Sequence, residues 1–237
     1  MNKQSNTYTI MYIIVMVVVV GAALAFTSIS LKDRQKANAD ADKMRQLLAS
    51  VNIEVPKERI AEEYDKLITN SFVVDSEGNI VNDAQDAFSI NVAVQSKEAA
   101  DKRLMPVYEC TLPDGSVKYI LSMYGAGLWG PIWGYASVDA DGTTVYGAYF
   151  AHQGETPGLG AEIEKPKFSD QFQGKRLIID GRFSPIAVVK PGMPAPEGED
   201  YVDGVSGGTI TSKGVGAMIE NCLAPYGNFL KSLAVNK

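Results

Sequence analysis

From Ile10 to Phe26 the chain reads IMYIIVMVVVVGAALAF, and no charged residue falls between Lys3 and Lys32. A spanning helix needs about 20 predominantly apolar residues, so this window is long enough to cross a membrane once. The competing reading is a cleaved signal peptide, for which Lys3 supplies a basic start and Ala23-Leu24-Ala25 a small-residue cleavage pattern. The apolar run exceeds the roughly 7–15 residues of a signal h-region, which favours a retained anchor. Charge counting gives a weak orientation. Lys3 flanks one end and Lys32, Arg34 and Lys36, diluted by Asp33, flank the other, which mildly favours a large domain on the inside. The helix holds no Asp, Glu, Lys, Arg or His, so it is a poor candidate for building an ion pathway by itself.

The polar stretch Ser30 to Ser50, with apolar Leu31, Met44, Leu47 and Leu48, suits a helix continuing as a stalk. A second helix is expected over Pro56 to Thr69, with Pro near its first turn and Ile60, Tyr64 and Leu67 at helical spacing. From Phe72 the pattern changes to β-branched and alternating runs. FVVDSEGNIV, PVYECTLPDGSVKYILSMY and GYASVDADGTTVYGAYF each predict two strands around an Asp/Gly turn. Helical patterns return at Ala161 to Phe172 and from Thr211 onward, and the Pro-rich run Lys190 to Glu199 reads as a surface loop. The expected fold class is α+β: one N-terminal transmembrane helix, then a domain with a twisted antiparallel sheet flanked by helices. The expected regions are residues 1–29 with the anchor, 30–70 with the stalk and packing helices, and 71–237 as the globular domain.

Composition removes several functions. A net charge of −6 and a pI near 4.9 argue against nucleic acid as a partner. The two cysteines, Cys110 and Cys222, lie in no metal or dithiol spacing and read as buried thiols, with a disulfide as the alternative. His152 is the single histidine, so a histidine pair or a His-rich metal site is excluded. No metal ligand set and no catalytic residue is predicted.

Three glycine-containing segments remain. In GAGLWGPIWGY, Gly125 to Tyr135, four glycines surround the only two tryptophans. Such a segment either admits a flat ligand against indole planes or is a tight loop whose tryptophans complete the core. HQGETPGLGAEI, His152 to Ile163, ends a strand and opens a helix. Its Glu155 and Thr156 are suited to capping, and the amides of Gly158, Leu159 and Gly160 to meeting the carbonyl groups of a ring. In DGVSGGTITSKGVGAMIENCL, Asp203 to Leu223, small residues lead into a helix with Val215, Met218, Ile219 and Cys222 as its apolar stripe. A threonine hydroxyl there lies beside orphan backbone N–H groups and the positive end of the helix dipole, which favours an attached phosphate; an ordinary Ser/Thr cap is the plainer reading.

The last segment resembles the flavinylation motif of the FMN-binding domain family, Asp-Gly-x-Ser/Thr-Gly-Ala-Thr, in which a dedicated flavin transferase joins FMN by a phosphodiester to the final threonine. Asp203, Gly204, Ser206, Gly207 and Thr209 match it, and Gly208 departs from the usual alanine, which implies a looser turn. With GLWGPIWG, GETPGLG and the anchor, the chain is similar to the C-subunit family of the Na+-translocating NADH:quinone oxidoreductases (Na+-NQR). The G-subunit family of Rnf-type electron-transport complexes shares the anchor and the threonine motif, but GLWGPIWG fits the quinone reductase better.

The resemblance implies a flavoprotein of the bacterial inner membrane, with its FMN domain periplasmic against the weak charge count. Its implied partners are the other subunits of a complex passing electrons from NADH to ubiquinone, the flavin transferase, and membrane lipid. Thr209 is the implied covalent anchor, with Thr211 as second choice. Asp203 is implied as a recognition residue and Ser206, Gly207 and Gly208 as the presenting turn. Thr156, Gly158 and Leu159 are expected to border the ring, with Leu128 and Trp129 closing over it. An anchored scaffold with Thr209 unmodified, and a free-standing reductase, are the other classes; no GxGxxG fingerprint supports the latter.

Overall fold

The computed structural model describes residues 6–81, 86–194 and 196–235. Lys3, which enters the orientation count, and Ala195, in the Pro-rich run, lie outside the described residues. The chain divides into two units, residues 1–43 and 44–237.

The first unit is helical. Helix α1 spans Asn6–Ser50, which bears out the apolar helix and the helical reading of the polar stretch after it. Its apolar side chains, from Ile10 through Val20 and on to Ile29, are exposed, and the helix is long and apolar enough to cross a membrane. The Thr27 hydroxyl donates to the Ala23 carbonyl at 2.8 Å and Ser30 to that of Thr27 at 3.0 Å, so both hydroxyls are satisfied within the helix.

In the second unit the last residues of α1, Gln46, Leu47, Leu48 and Ser50, are buried. The helix stops at Asn52, which adopts φ 60°, while the Ile53 amide donates to Leu48 and the Asn52 amide to Ala49. This is a Schellman stop with asparagine at its left-handed position. Helix α2 (Ile60–Leu67) follows a 3-10 turn at Lys57–Arg59 and is shorter than expected, because the β-branched Ile68 and Thr69 open strand β1 (Ile68–Val74) instead. The next expected strand shrinks to a single bridge, Val74 to Ile80: the Asp75 carboxylate accepts from the amides of Glu77 and Asn79, and this turn consumes the residues between.

After the short helix α3 (Val92–Gln95), four strands run as predicted: β2 (Met105–Thr111), β3 (Val117–Ala126), β4 (Pro131–Asp139) and β5 (Val145–His152). With β1 they form one antiparallel sheet in sequence order. The single helix expected over Ala161 to Phe172 is three short turns: Gly160–Glu164, α4 (Pro166–Ser169) and Asp170–Phe172. Pro166 causes the break by holding Lys165 extended at φ −86°, ψ 145°. Two small sheets follow, the hairpin β6 (Ile178–Ile179) with β7 (Arg182–Phe183), and the parallel pair β8 (Ala187–Val189) with β9 (Tyr201–Asp203). The Pro-rich run is the crossover that lets β9 return parallel to β8. Helices α5 (Thr209–Leu223) and α6 (Gly227–Val235) complete the chain.

Both faces of the sheet are covered, so alternate residues of one strand enter different cores. Val107, Leu121 and Met123 pack with Val215, Met218 and Ile219 of α5. Tyr108, Cys110 and Ile120 pack with Leu47, Leu48 and Leu67. Cys222 belongs to the first core and Cys110 to the second, and both are free buried thiols. Burial pushes the Cys110 thiol up to about 11. A side chain at Gly214 would collide with the Ala126 carbonyl, so this glycine lets the start of α5 close on the end of β3.

Candidate functional site

That approach brings the three glycine segments together. The stripe predicted for α5 is buried, and its N-cap residue is Gly208, which has no side chain to cap the helix. Thr209 and Thr211, two residues apart at about 100° per residue, therefore face different surroundings. Thr209 is exposed, whereas Thr211 is 1% exposed and its hydroxyl donates to Oε2 of Glu155 at 2.5 Å.

Glu155 joins the segments. It is 4% exposed, and its Oε1 accepts from the Trp129 amide at 2.8 Å. Its own amide donates to Nδ1 of His152 at 3.0 Å. Burial pushes the carboxyl up, but the Thr211 hydroxyl, the amides of Trp129 and Leu128 and the nearby His152 outweigh it and hold the group below its ordinary value. Glu155 thus does not cap the following turn. Thr156 serves there through its carbonyl, which accepts from the amides of Leu159 and Ala161 at 3.1 Å. The Gly158 amide donates to Glu162 at 3.1 Å, so the amides of Gly158 and Leu159 have partners within the loop.

The segment before α5 is held at several points. The Gln171 side chain accepts from the Asp203 amide at 2.9 Å and donates to the Asp203 carbonyl at 3.2 Å, gripping the end of β9. The Gly204 amide donates to Val189, and the Val205 amide to the Ser212 hydroxyl at 2.8 Å. Val205 to Gly208 then form a turn closed by the Gly208 amide on the Val205 carbonyl at 3.0 Å, with Gly207 at φ 78° in the third position. That is the geometry of a type II turn, which calls for glycine there. Gly208 has φ −101°, which any residue tolerates, and is buried; a methyl added to it would lie 3.1 Å from Val205 and 3.3 Å from Gly160. An alanine at this position would therefore be crowded.

Two clefts open beside the turn. The larger, about 450 Å³, is lined by Gly158, Glu162, Lys165, Lys167, Asp203 and Ser206 among others. The smaller, about 130 Å³, is lined by Lys190, Ser206, Gly207, Thr209 and Lys213 among others. Four lysines thus border a pair of clefts in a chain of net charge −6. Leu128, Trp129, Leu159 and Thr156 line neither cleft. Trp129 is 69% exposed at the tip of the β3–β4 hairpin, and Leu128, Leu159 and Ile210 are exposed as well. The other tryptophan separates from it: Trp133 donates through Nε1 to Gln46 at 2.9 Å and packs against the core under α1.

Residues 127–224 match the family model for the FMN-binding domain, a span that holds all three segments apart from Gly125 and Ala126. The C-subunit of the Na+-translocating NADH-quinone reductase of Vibrio alginolyticus is 35% identical over 203 residues, covering 79% of this chain and 78% of that protein. The chain belongs to this C-subunit family. The Yersinia pestis relative in the family is 30% identical and covers 98% of this chain and 94% of that protein. The crystal structure of the family member from Parabacteroides distasonis has a TM-score of 0.78 at 50% identity, covering 84% of this chain and 96% of that one. The structure of NqrC from Shewanella oneidensis, at 23% identity and a TM-score of 0.68, shares the fold and covers 84% of this chain and 99% of that one.

In this member of the family, sequence reasoning misses three features of the site. Glu155 reads as a helix cap; the signal pointing elsewhere is a lone acid set between two glycine-rich segments. Gln171 and the lysines at 165 and 167 lie in a stretch that reads only as helix, and their approach to Asp203 depends on the break at Pro166 and the parallel β8–β9 pair.

Proposed function

We propose that this chain is an electron-carrying subunit of a membrane-bound, Na+-translocating NADH:quinone reductase, and that it bears FMN joined by a phosphodiester to Thr209. The observation that carries the reading is the contrast at the start of α5: Thr209 is exposed beside a cleft, at a helix start with no side-chain cap, whereas the Thr211 hydroxyl is buried on Glu155. Thr211 is therefore withdrawn as an attachment site.

The residues present fit the cofactor. A phosphate on Thr209 would meet the first-turn amides of α5 and the positive end of its dipole, with Lys190 and Lys213 lining the same cleft. The larger cleft, about 450 Å³, falls within the usual range for a small-molecule site. Ser206, Gly207 and Gly208 form the presenting turn, and Asp203, exposed and gripped through its backbone by Gln171, is the recognition residue for the flavin transferase. Of the residues expected to border the ring, Gly158 lines the larger cleft, while Thr156 and the exposed Leu159, Leu128 and Trp129 lie outside both clefts and would meet only a part of the flavin that projects beyond them. When bound, the flavin supplies the one- and two-electron chemistry; the protein supplies its position and surroundings. A covalent link through phosphate keeps the carrier from exchanging its cofactor.

The apolar part of α1 anchors the chain in the lipid of a bacterial inner membrane, with the flavin domain on the periplasmic side, and the other subunits are its electron donor, acceptor and ion pathway. The absence of ionisable side chains from Asn6 to Leu31, tyrosines aside, supports the last assignment. The test is a denaturing gel of the protein produced with a flavin transferase. Flavin fluorescence should stay with the wild-type band and vanish in Thr209→Ala; a dark wild-type band would support the scaffold reading instead.

A further inference from the structure

Among the described residues Glu155 is the one buried carboxylate, and its hydrogen-bond partners are neutral. An apolar side chain would fill the same space at a lower desolvation cost. What the carboxylate adds is direction: one oxygen holds the Trp129 amide and the other the Thr211 hydroxyl. Two glycines make room for it. A methyl at Gly127 would lie 2.5 Å from Oε1, and at Gly160 a methyl would crowd both Oε2 and the Thr211 hydroxyl. All three segments are therefore shaped around this one group.

We infer that Glu155 is the positioning residue for flavin attachment: through Thr211 it fixes the first turn of α5, and with it the Thr209 hydroxyl, relative to Leu128 and Trp129. The inference rests on the reading that Thr209 is modified. In that modification the Thr209 oxygen forms a bond to phosphorus and the phosphoanhydride bond of a flavin dinucleotide donor breaks; a nucleoside monophosphate leaves and the hydroxyl proton passes to solvent. Glu155 touches none of the reacting atoms. It sets where the hydroxyl is held when the transferase arrives, and afterwards the spacing between the anchored end and the tryptophan loop.

The experiment measures the initial rate of FMN incorporation into the full-length chain in detergent, with purified flavin transferase and flavin adenine dinucleotide, read by intact mass. Thr211→Val keeps the shape but loses the hydroxyl, Thr211→Ser keeps the hydroxyl, and Glu155→Gln keeps the shape but loses the charge. Losing one charge-assisted hydrogen bond should slow loading about tenfold in Thr211→Val and Glu155→Gln, with Thr211→Ser restored to within about twofold of wild type. Should Thr211→Val fail to fold, Glu155→Gln carries the test. Wild-type rates in both slowed variants, or Thr211→Ser as slow as Thr211→Val, would overturn the inference. A wild-type chain that takes up no flavin would overturn the flavin reading, and this inference with it.

Discussion

The two sides of the first turn of α5 hold the same residue type and have different surroundings. On one side Thr209 and Ile210 face outward, Ile210 being 56% exposed. On the other, Thr211 and Ser212 are buried and each hydroxyl is committed, Thr211 as donor to Glu155 and Ser212 as acceptor from the Val205 amide. A hydroxyl locked into the scaffold is not available for a new bond, whereas one at an uncapped helix start is. The inner side builds the frame and the outer side is open to solvent, so stability and the proposed modification should respond to different substitutions.

The comparison can be broken first at the frame. Glu155→Ala removes the partner of both the part-buried Trp129 amide and the buried Thr211 hydroxyl, which should cost about 3 kcal/mol, measured by denaturant unfolding. Thr211→Val removes only one partner and should cost about 2 kcal/mol. Gly207→Ala forces a side chain into φ 78° and against Leu159, for a loss of about 1–2 kcal/mol with Val205 and Ser212 still in place. On the outer side Thr209→Ala should change unfolding by no more than about 0.5 kcal/mol, so a large loss there would erase the distinction between the two sides.

Acid sharpens the same comparison. The Glu155 carboxyl is held below its ordinary value of 4.5, so between its folded and unfolded values the unfolded chain binds the extra proton. Its contribution is complete above 4.5 and fades as pH falls through the lower folded value. Unfolding measured down that acid range should show a stability loss in wild type that is smaller in Glu155→Gln and unchanged in Thr209→Ala.

Features set by neighbouring residues were legible in the sequence. The uncharged run gives α1, Asp/Gly turns give β2 to β5, and the apolar stripe gives α5. Elements decided by tertiary choice were not. Ile68 and Thr69 left a helical pattern for a sheet edge, and Pro166 cut a helix whose apolar spacing looks continuous. The glycine segments were recognisable one by one, but the group joining them was not, because Glu155 meets Trp129 across 26 positions and Thr211 across 56. The motif pointed to Thr209; the reason for preferring it over Thr211 came only with the fold.

The central claim is the site of attachment, and intact mass with peptide mapping tests it most directly. The protein is taken from its native membrane as wild type, Thr209→Ala and Thr211→Ala. The account predicts an FMN-sized increment on the peptide containing Thr209 in wild type and in whatever Thr211→Ala protein folds, and none in Thr209→Ala. An increment that persists in Thr209→Ala, or an unmodified wild-type peptide from cells that possess the transferase, would contradict it.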